Sequence, residues 1–453
     1  MQLQQGTENP WIQRWQAYWF TPAPLFDLAI CRIMIVLFQV TYCFRQDPLT
    51  GMLDLSATAA ELYDPLLPVR ALTFFLGFEV PPPNGFLSLV FWVTLIAGFF
   101  ALIGLQTRLS LIIFAVGNLF IQSFIYSFDE HHHSQGLILI TFFLLALSPS
   151  SRVLSVDNLM QRLRQNIQRR KFTAFSLVDE QSEFARWPLL MVQWLLSLSY
   201  LSAAVSKLAA GGLNWVNGYT LQFYLLADGF LWDRPLGIFL AQNHFLCVIF
   251  SWMALIFEAT FFLVLIFPSL IWIYLPAGAS FHIGIYLAQW APFFQFVTLY
   301  CVFLPWAGLT KILSRRLWRI QTAQKPEVLF DGECPLCIRS MTVICYLDWF
   351  EWITYSELQS RWQDLAKTHP EISLEACLEE MHLILPNNAV RRGFFAFREM
   401  TRYLPLLWIL WPILHIPGVP YLGDRIYSYV AAHRPRFLQS CSSGGCAIDP
   451  DQD

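Results

Sequence analysis

The chain has 453 residues, of which 56% are hydrophobic, 16% aromatic and only 13% charged, against about 25% charged in soluble domains. That composition excludes a disordered chain, a basic nucleic-acid-binding protein and a small disulfide-stapled secreted domain. The net charge of −3 hides an asymmetry, because residues 1–325 carry 19 Lys/Arg against 16 Asp/Glu and residues 326–453 carry 10 against 16.

Crossing about 30 Å of hydrocarbon takes roughly 20 helical residues. Eight apolar runs approach or exceed this: Leu25–Phe44, Phe86–Gln106, Leu109–Ser127, the short Gln135–Ser148, Pro188–Ala209, Phe245–Phe267, Ser269–Ala288 and Pro292–Leu309. Uncharged runs recur too often for buried helices of a soluble protein. Met1–Phe20 has neither a basic start nor a small-residue cleavage site, so the first run is expected to stay as an anchor. With eight spans, the loops on one side hold 14 Lys/Arg and those on the other 3. This bias predicts a cytoplasmic N-terminus, Pro149–Trp187 loop and C-terminal module. Within that loop, Val153–Arg170 alternates apolar and basic residues and reads as an interfacial amphipathic helix, its C-terminal half equally well as a solvated linker.

Ionisable residues inside spans are costly and are functional candidates for that reason. Lys207 lies near the outer end of the fifth span, Glu258 midway along the sixth, His282 in the seventh and Arg32 near the start of the first. His131, His132 and His133 precede the fourth. The predicted topology puts Lys207, His133 and His282 at similar depth. Lys207 either acts as a base or snorkels its ammonium to the interface. His282 is either a site residue or a hydrogen-bonded bundle histidine, and the His triplet either a site or a solvated loop. Arg32 and Glu258 read as structural, pairing within the bundle. The triplet lacks the helical spacing of a zinc site, so no metal is expected.

Tyr200–Tyr219 (YLSAAVSKLAAGGLNWVNGY) resembles the lysine-bearing segment of vitamin K-dependent γ-carboxylases. HHHSQG (His131–Gly136) and SFHIGI (Ser280–Ile285) resemble their histidine segments, and PLFDLAICRIM (Pro24–Met34) the start of the broader bacterial horizontally transferred transmembrane (HTTM) family. The resemblance spans about residues 10–310. It implies that Lys207 deprotonates a reduced, vitamin K-like quinone and that His133 and His282 assist the chemistry or stabilise charge. Desolvation favours the neutral form of a lysine, which suits a base. The chain departs from the carboxylases in two ways. Only 144 residues follow Leu309, in place of a large lumenal region, and Ser206 stands where the vertebrate enzymes have a second lysine. A quinone or lipid-linked reaction is therefore expected rather than carboxylation of a peptide.

Lys311–Lys325 is a basic linker that would attract anionic headgroups. Beyond it, residues 326–440 read as a small α/β domain of thioredoxin type. Val328–Phe330 is a strand, Asp331-Gly332 a turn, and Cys334-Pro335-Leu336-Cys337 opens a helix; Trp352–Ser356 is a second strand, and Met381–Val390 a hairpin around Asn387-Asn388. Phe394–Tyr403 and Tyr421–Ala432 are further helices. A thiolate at a helix N-terminus is stabilised by exposed N–H groups, and two cysteines three apart can close a disulfide across one turn. Cys334 is expected to be the more exposed, attacking thiol and Cys337 the resolving one. Half a zinc knuckle, completed by Cys441 and Cys446, is the alternative. Asp331 either accepts the proton from Cys334 or caps the helix. No proline directly precedes the Met381 strand to face the pair.

Asp331, Cys334 and Cys337 with the later hairpin and helices resemble the DCC family of thioredoxin-like proteins, which implies a thiol–disulfide oxidoreductase. Leu404–Leu422 reads as a buried or membrane-touching helix rather than a ninth span, since Pro405, Pro412, Pro417 and Pro420 interrupt it. The tail, residues 441–453, reads as mobile.

The expected protein is a membrane redox enzyme: a bundle of about eight spans (residues 10–310), a linker (311–325) and a thioredoxin-like domain (326–440). Its expected partners are the lipid bilayer, a quinone, and a thiol or disulfide protein or small thiol, with no nucleic acid. Two other readings are a lipid- or quinone-binding scaffold carrying a thiol oxidoreductase, and a thiol-gated transporter, against which no inverted repeat is seen.

Overall fold

The computed structural model describes residues 9–58, 60–76, 81–128, 135–318 and 324–433. The chain folds into two units. One comprises residues up to Ser155 together with Gln181–Leu304, the other Val156–Glu180 together with the chain from Pro305 onward.

The first unit is helical. Its elements in chain order are α1 (Leu25–Gln46), α2 (Asn84–Ile103), α3 (Thr107–Tyr126) and α4 (Gly136–Leu147); α5 (Val156–Arg169) belongs to the second unit; then come α6 (Arg186–Gly211), α7 (His244–Thr260), α8 (Ile271–Gln289) and α9 (Phe294–Leu299). Among the described residues, six helical segments are long and apolar enough to cross a membrane, seven if the pair Phe294–Phe303 and Trp306–Leu317, bent by 74°, counts as one. The expected eight thus reduce to six or seven for two reasons. The fourth run forms only the 12-residue α4, and Pro305 breaks the last run, since a ring nitrogen has no N–H to continue a helix. Between α2 and α3 the chain turns at Gly104, whose φ of +72° favours glycine. A Cβ there would lie 2.4 Å from Ser155 Cβ and 2.7 Å from Arg32 Nη1.

The second unit is built on four strands: β1 (Glu327–Phe330), β2 (Thr354–Glu357), β3 (His382–Ile384) and β4 (Val390–Arg392), in the order β2-β1-β3-β4. Pairing β1 with β2 is parallel, in register Val328 with Tyr355; β1–β3 and β3–β4 are antiparallel. A parallel pair needs a crossover, which α11 (Pro335–Leu347) supplies after α10 (Trp306–Trp318) leads in. Helices α12 (Leu358–Thr368) and α13 (Leu374–Glu379) precede the hairpin, and α14 (Gly393–Met400), α15 (Leu410–Ile413) and α16 (Val419–Ala432) follow it. This is the thioredoxin-type topology expected from the strand pattern. Alternation along β1 splits the core. Val328 and Phe330 pack with Met341, Ile344 and Ala396, whereas Leu329 packs with Leu358, Leu365 and Cys377 on the other face.

The segment expected to lie along a membrane interface completes this domain. Helix α5 packs on α11, and buried Asn166 donates through Nδ2 to Thr342 Oγ1 at 3.0 Å. Phe172 inserts into the Val328–Phe330 side of the core, its ring 5.3 Å from that of Phe330, and its N–H donates to Glu357 Oε1 at 3.1 Å. The side that meets α11 carries buried Asn158 and Asn166, while Leu159, Leu163 and Ile167 stay partly exposed and Met160 is 46% exposed, which leaves an apolar stripe open as the amphipathic pattern predicts. Leu404–Leu422 forms short, surface-exposed helices rather than a span.

At the far end of α11, Asp348 accepts N–H bonds from Trp352 (2.9 Å) and Ile353 (3.0 Å), turning the chain into β2. Burial pushes its carboxyl up to about 6, against those donors. A carboxyl raised above its unfolded value of about 3.9 stabilises the fold fully below that value, and the contribution is lost as pH rises through about 6. Amide protection at Trp352 and Ile353 in the full chain is therefore expected to fall between pH 4 and 7, about 2–3 kcal/mol in all, and Asp348→Asn to flatten that slope; an unchanged slope contradicts this account. Phe172→Ala is expected to cost the second unit about 3–5 kcal/mol, read as loss of protection in β1 with the first unit unaffected.

Candidate functional site

Within the bundle, Lys207 on α6 forms an ion pair with Glu258 on α7. Glu258 is buried, and the Lys207 side chain is 22% exposed with its ammonium 4.9 Å from the Trp215 ring centroid. Seven residues earlier on α6, two turns along the same face, Tyr200 opens a second group. Its hydroxyl is 2.7 Å from His282 Nε2 on α8 and 2.6 Å from the Tyr300 hydroxyl. All three side chains are buried. Glu258 lies within electrostatic range of Tyr200, so the two groups form one polar strip. Its walls are aromatic. Phe257, Phe261 and Phe296 pack on Tyr200, and Phe281, Phe293 and Phe296 on His282. Gly278 makes room for Tyr300, whose hydroxyl would sit 2.1 Å from a Cβ there.

His282 Nδ1 is buried with no hydrogen-bond partner among the described residues. An imidazole whose Nε2 is already engaged thus presents one open polar atom amid aromatic rings. Lys207 and His282 are not in direct contact: each has its own partner, two turns apart along α6. His131, His132 and His133 lie outside the described residues, as do Cys441 and Cys446. Arg32 is fully buried and donates to the Leu154 carbonyl, a structural anchor as expected. Tyr200 and Tyr300 were not singled out from the sequence. Two tyrosines among many aromatics carry no signal until the helices are packed.

In the second unit, β1 ends at Phe330 and the turn Asp331-Gly332-Glu333 delivers Cys334 as the N-cap of α11. Asp331 is buried, and its Oδ1 accepts the Glu333 N–H at 3.0 Å and Gln359 Nε2 at 2.7 Å. Gln359 returns its Oε1 to the Gly332 N–H at 2.9 Å. Asp331 therefore holds the turn before the helix and does not cap it, since Cys334 is the N-cap and α11 has no side-chain cap. Pro335 at N1 suits a helix start, where no N–H partner is needed. Cys337 follows one turn in. The expected exposure order is reversed, since Cys334 is only 7% exposed and Cys337 is half-buried. Cys337, though the more exposed of the two, still packs against the core that holds Phe330 and Met341. Cys345 and Cys377 are core thiols that burial pushes up to about 12 and about 11, out of reach of nucleophilic chemistry near neutral pH.

Residues 20–306, more than half of the chain, match the family model of the HTTM domain. The chain belongs to the HTTM domain family. Residues 328–440 match the model of DCC1-like thiol-disulfide oxidoreductases. No curated protein and no solved structure matched the sequence. An HTTM membrane domain followed by a thiol-disulfide oxidoreductase-like domain makes this a membrane redox protein.

Removing one member of a buried ion pair strands the other. Glu258→Ala is expected to destabilise the bundle by about 2–4 kcal/mol, with Lys207→Met/Glu258→Leu restoring most of the loss. Thermal unfolding in detergent measures both. A double variant as unstable as the sum of the singles means that the pair is not coupled.

Proposed function

We propose that this HTTM protein is a membrane-embedded thiol–disulfide oxidoreductase whose working pair is Cys334 and Cys337. The observation that carries the proposal is the seat of Cys334 as N-cap of α11 at the end of β1, with Cys337 one turn on. A thiolate there meets the unsatisfied N–H groups of the first turn and the positive end of the helix dipole. Helix position, not exposure, therefore favours Cys334 as nucleophile. Its thiolate attacks a substrate disulfide and releases one substrate thiolate. The Cys337 thiolate then attacks the mixed disulfide, releasing the second. The pair ends as a disulfide and two electrons pass to the substrate, a protein or a small thiol compound. Asp331 acts as a positioning residue that fixes the turn.

For the bundle we propose a site for a flat ring bearing oxygen atoms, of the reduced-quinone class. The open Nδ1 of His282 and the aromatic walls around it fit such a group. A reduced quinone, when bound, would supply an ionisable hydroxyl. Tyr200 and Tyr300 orient His282, and Lys207 acts as base when its proton passes to Glu258. The Lys207–Glu258 pairing also favours a second reading, a binding scaffold without chemistry of its own, because each charge satisfies the other.

Orientation joins the two. Residues 156–180 and the chain from 305 onward fold as one unit, which supports a common face of the bilayer for both and the count of seven spans, four of them between these segments. The seven Lys/Arg of Pro149–Trp187 and the five of Lys311–Lys325 support the cytoplasm for that face.

Three outcomes are expected. Cys337→Ala accumulates a mixed disulfide through Cys334, detected by mass after trapping. Cys334→Ala abolishes exchange. If instead Cys334→Ala traps the partner through Cys337, the less buried thiol is the nucleophile and the assignment reverses. Lys207→Ala is expected to abolish the oxygen-dependent consumption of a reduced quinone, with oxygen taking its two electrons, while thiol exchange stays at the wild-type rate; consumption that persists in this variant selects the scaffold reading.

A further inference from the structure

Helix α10 carries Arg315 and Arg316 on its exposed face, and Lys325 stands exposed just before β1. These three cations line one cavity of about 600 Å³, whose floor is Phe350 and Trp352. The cavity is a built feature of the second unit. Ser314 Oγ donates to the Phe350 carbonyl at 3.2 Å and accepts the Trp352 indole N–H at 2.9 Å, which fixes α10 to the turn after α11. That turn is held in turn by Asp348. Glu351, at φ +54°, is the one carboxylate among the lining residues, and buried Asp348 lies within electrostatic range of Lys325, so the three cations still outnumber the carboxylates around them.

A second feature adjoins it. The ring of Phe350 is 6.3 Å from that of Trp408, which opens the segment Trp408–Ile416. From Leu404 to Gly423 the chain has no Asp, Glu, Lys or Arg. Its apolar side chains face outward: Ile409 is 78% exposed, and Trp408, Trp411 and Ile416 are exposed as well. An exposed stretch of this size is costly in water. Tryptophans beside cations and bare aliphatics are the composition of a membrane–water boundary.

We infer that this edge of the second unit binds an anionic phospholipid of the bilayer that the spans occupy. The phosphate sits among Arg315, Arg316 and Lys325, and Trp408, Ile409 and Trp411 enter the headgroup–acyl boundary beside it. Charge complementarity selects the headgroup, and the uncharged stretch next to it selects a lipid over a soluble phosphate compound. The choice of a lipid does not depend on which thiol is the nucleophile or on whether the bundle takes a quinone.

The test uses the full chain in phosphatidylcholine nanodiscs doped with a photoreactive phosphatidylglycerol, with cross-linked peptides mapped by mass. Label is expected in peptides from α10 and from residues 324–353, displaced by phosphatidylglycerol but not by phosphatidylcholine or glycerol phosphate. Arg315→Gln/Arg316→Gln/Lys325→Gln is expected to weaken phosphatidylglycerol competition at least about tenfold, given roughly fivefold per surface cation. The three substituted residues are exposed, so the fold should hold; unchanged thiol exchange by Cys334 and Cys337 verifies this. Undiminished labelling of the triple variant overturns the inference, as does equal competition by phosphatidylcholine. Competition by glycerol phosphate as strong as by phosphatidylglycerol overturns the lipid and leaves a soluble phosphate compound as ligand.

Discussion

A hydrocarbon slab offers no hydrogen-bond partners, so every polar side chain carried into it must find one in the protein or be left costly. The bundle is organised around this constraint. Lys207 meets Glu258, Arg32 meets the Leu154 carbonyl, Gln39 Nε2 meets Asn118 Oδ1 at 2.8 Å, and Tyr200 joins His282 to Tyr300. Each link ties residues far apart in sequence, so the polar groups specify which helices pack together while apolar surface supplies the drive. Among the described residues the pattern is incomplete at a few buried atoms, among them His282 Nδ1, Ser197 Oγ and both side-chain polar atoms of Gln295.

The second unit solves a different problem: how to hold a reactive helix terminus rigidly. Two aspartates bracket α11. Asp331 ties the entering turn to Gln359 on α12, and Asp348 ties the leaving turn to the start of β2. The Cys pair is thus positioned from both ends of its helix by carboxylates that accept backbone N–H bonds. This arrangement limits how far Cys334 can move.

Much of this was legible in the residues. Long apolar runs with few charges gave α1, α2, α3, α6, α7 and α8, because a helix in hydrocarbon is what tolerates such sequences. The strands of the second unit followed from their alternation and from the Asn387-Asn388 turn, and the DG-x-CPLC stretch located the helix start. What was not legible depends on long-range packing. Glu258 was expected to pair, but its partner lies 51 residues away. The exposure order of Cys334 and Cys337 depends on how the domain packs around them. The stripe on α5 declared an apolar face without saying which side of the helix would meet protein. The tyrosines of the polar strip had no signature at all.

The docking of α5 and Phe172 into the second unit also dictates a schedule for biosynthesis. Asn166 waits for Thr342, 176 residues downstream, and Phe172 waits for Glu357, 185 residues downstream. At ribosomal speed that delay is on the order of ten seconds or more, during which the spans from α6 to α9 are made and inserted. For that interval α5 lacks its partner on the side that later meets α11, and a chaperone or the nearby bilayer surface is its natural host. A ribosome stalled between Thr342 and Glu357 would hold a nascent chain with a complete bundle and an unfinished thiol domain. The redox centre would then be the last part of the molecule to acquire its shape, after membrane insertion is finished.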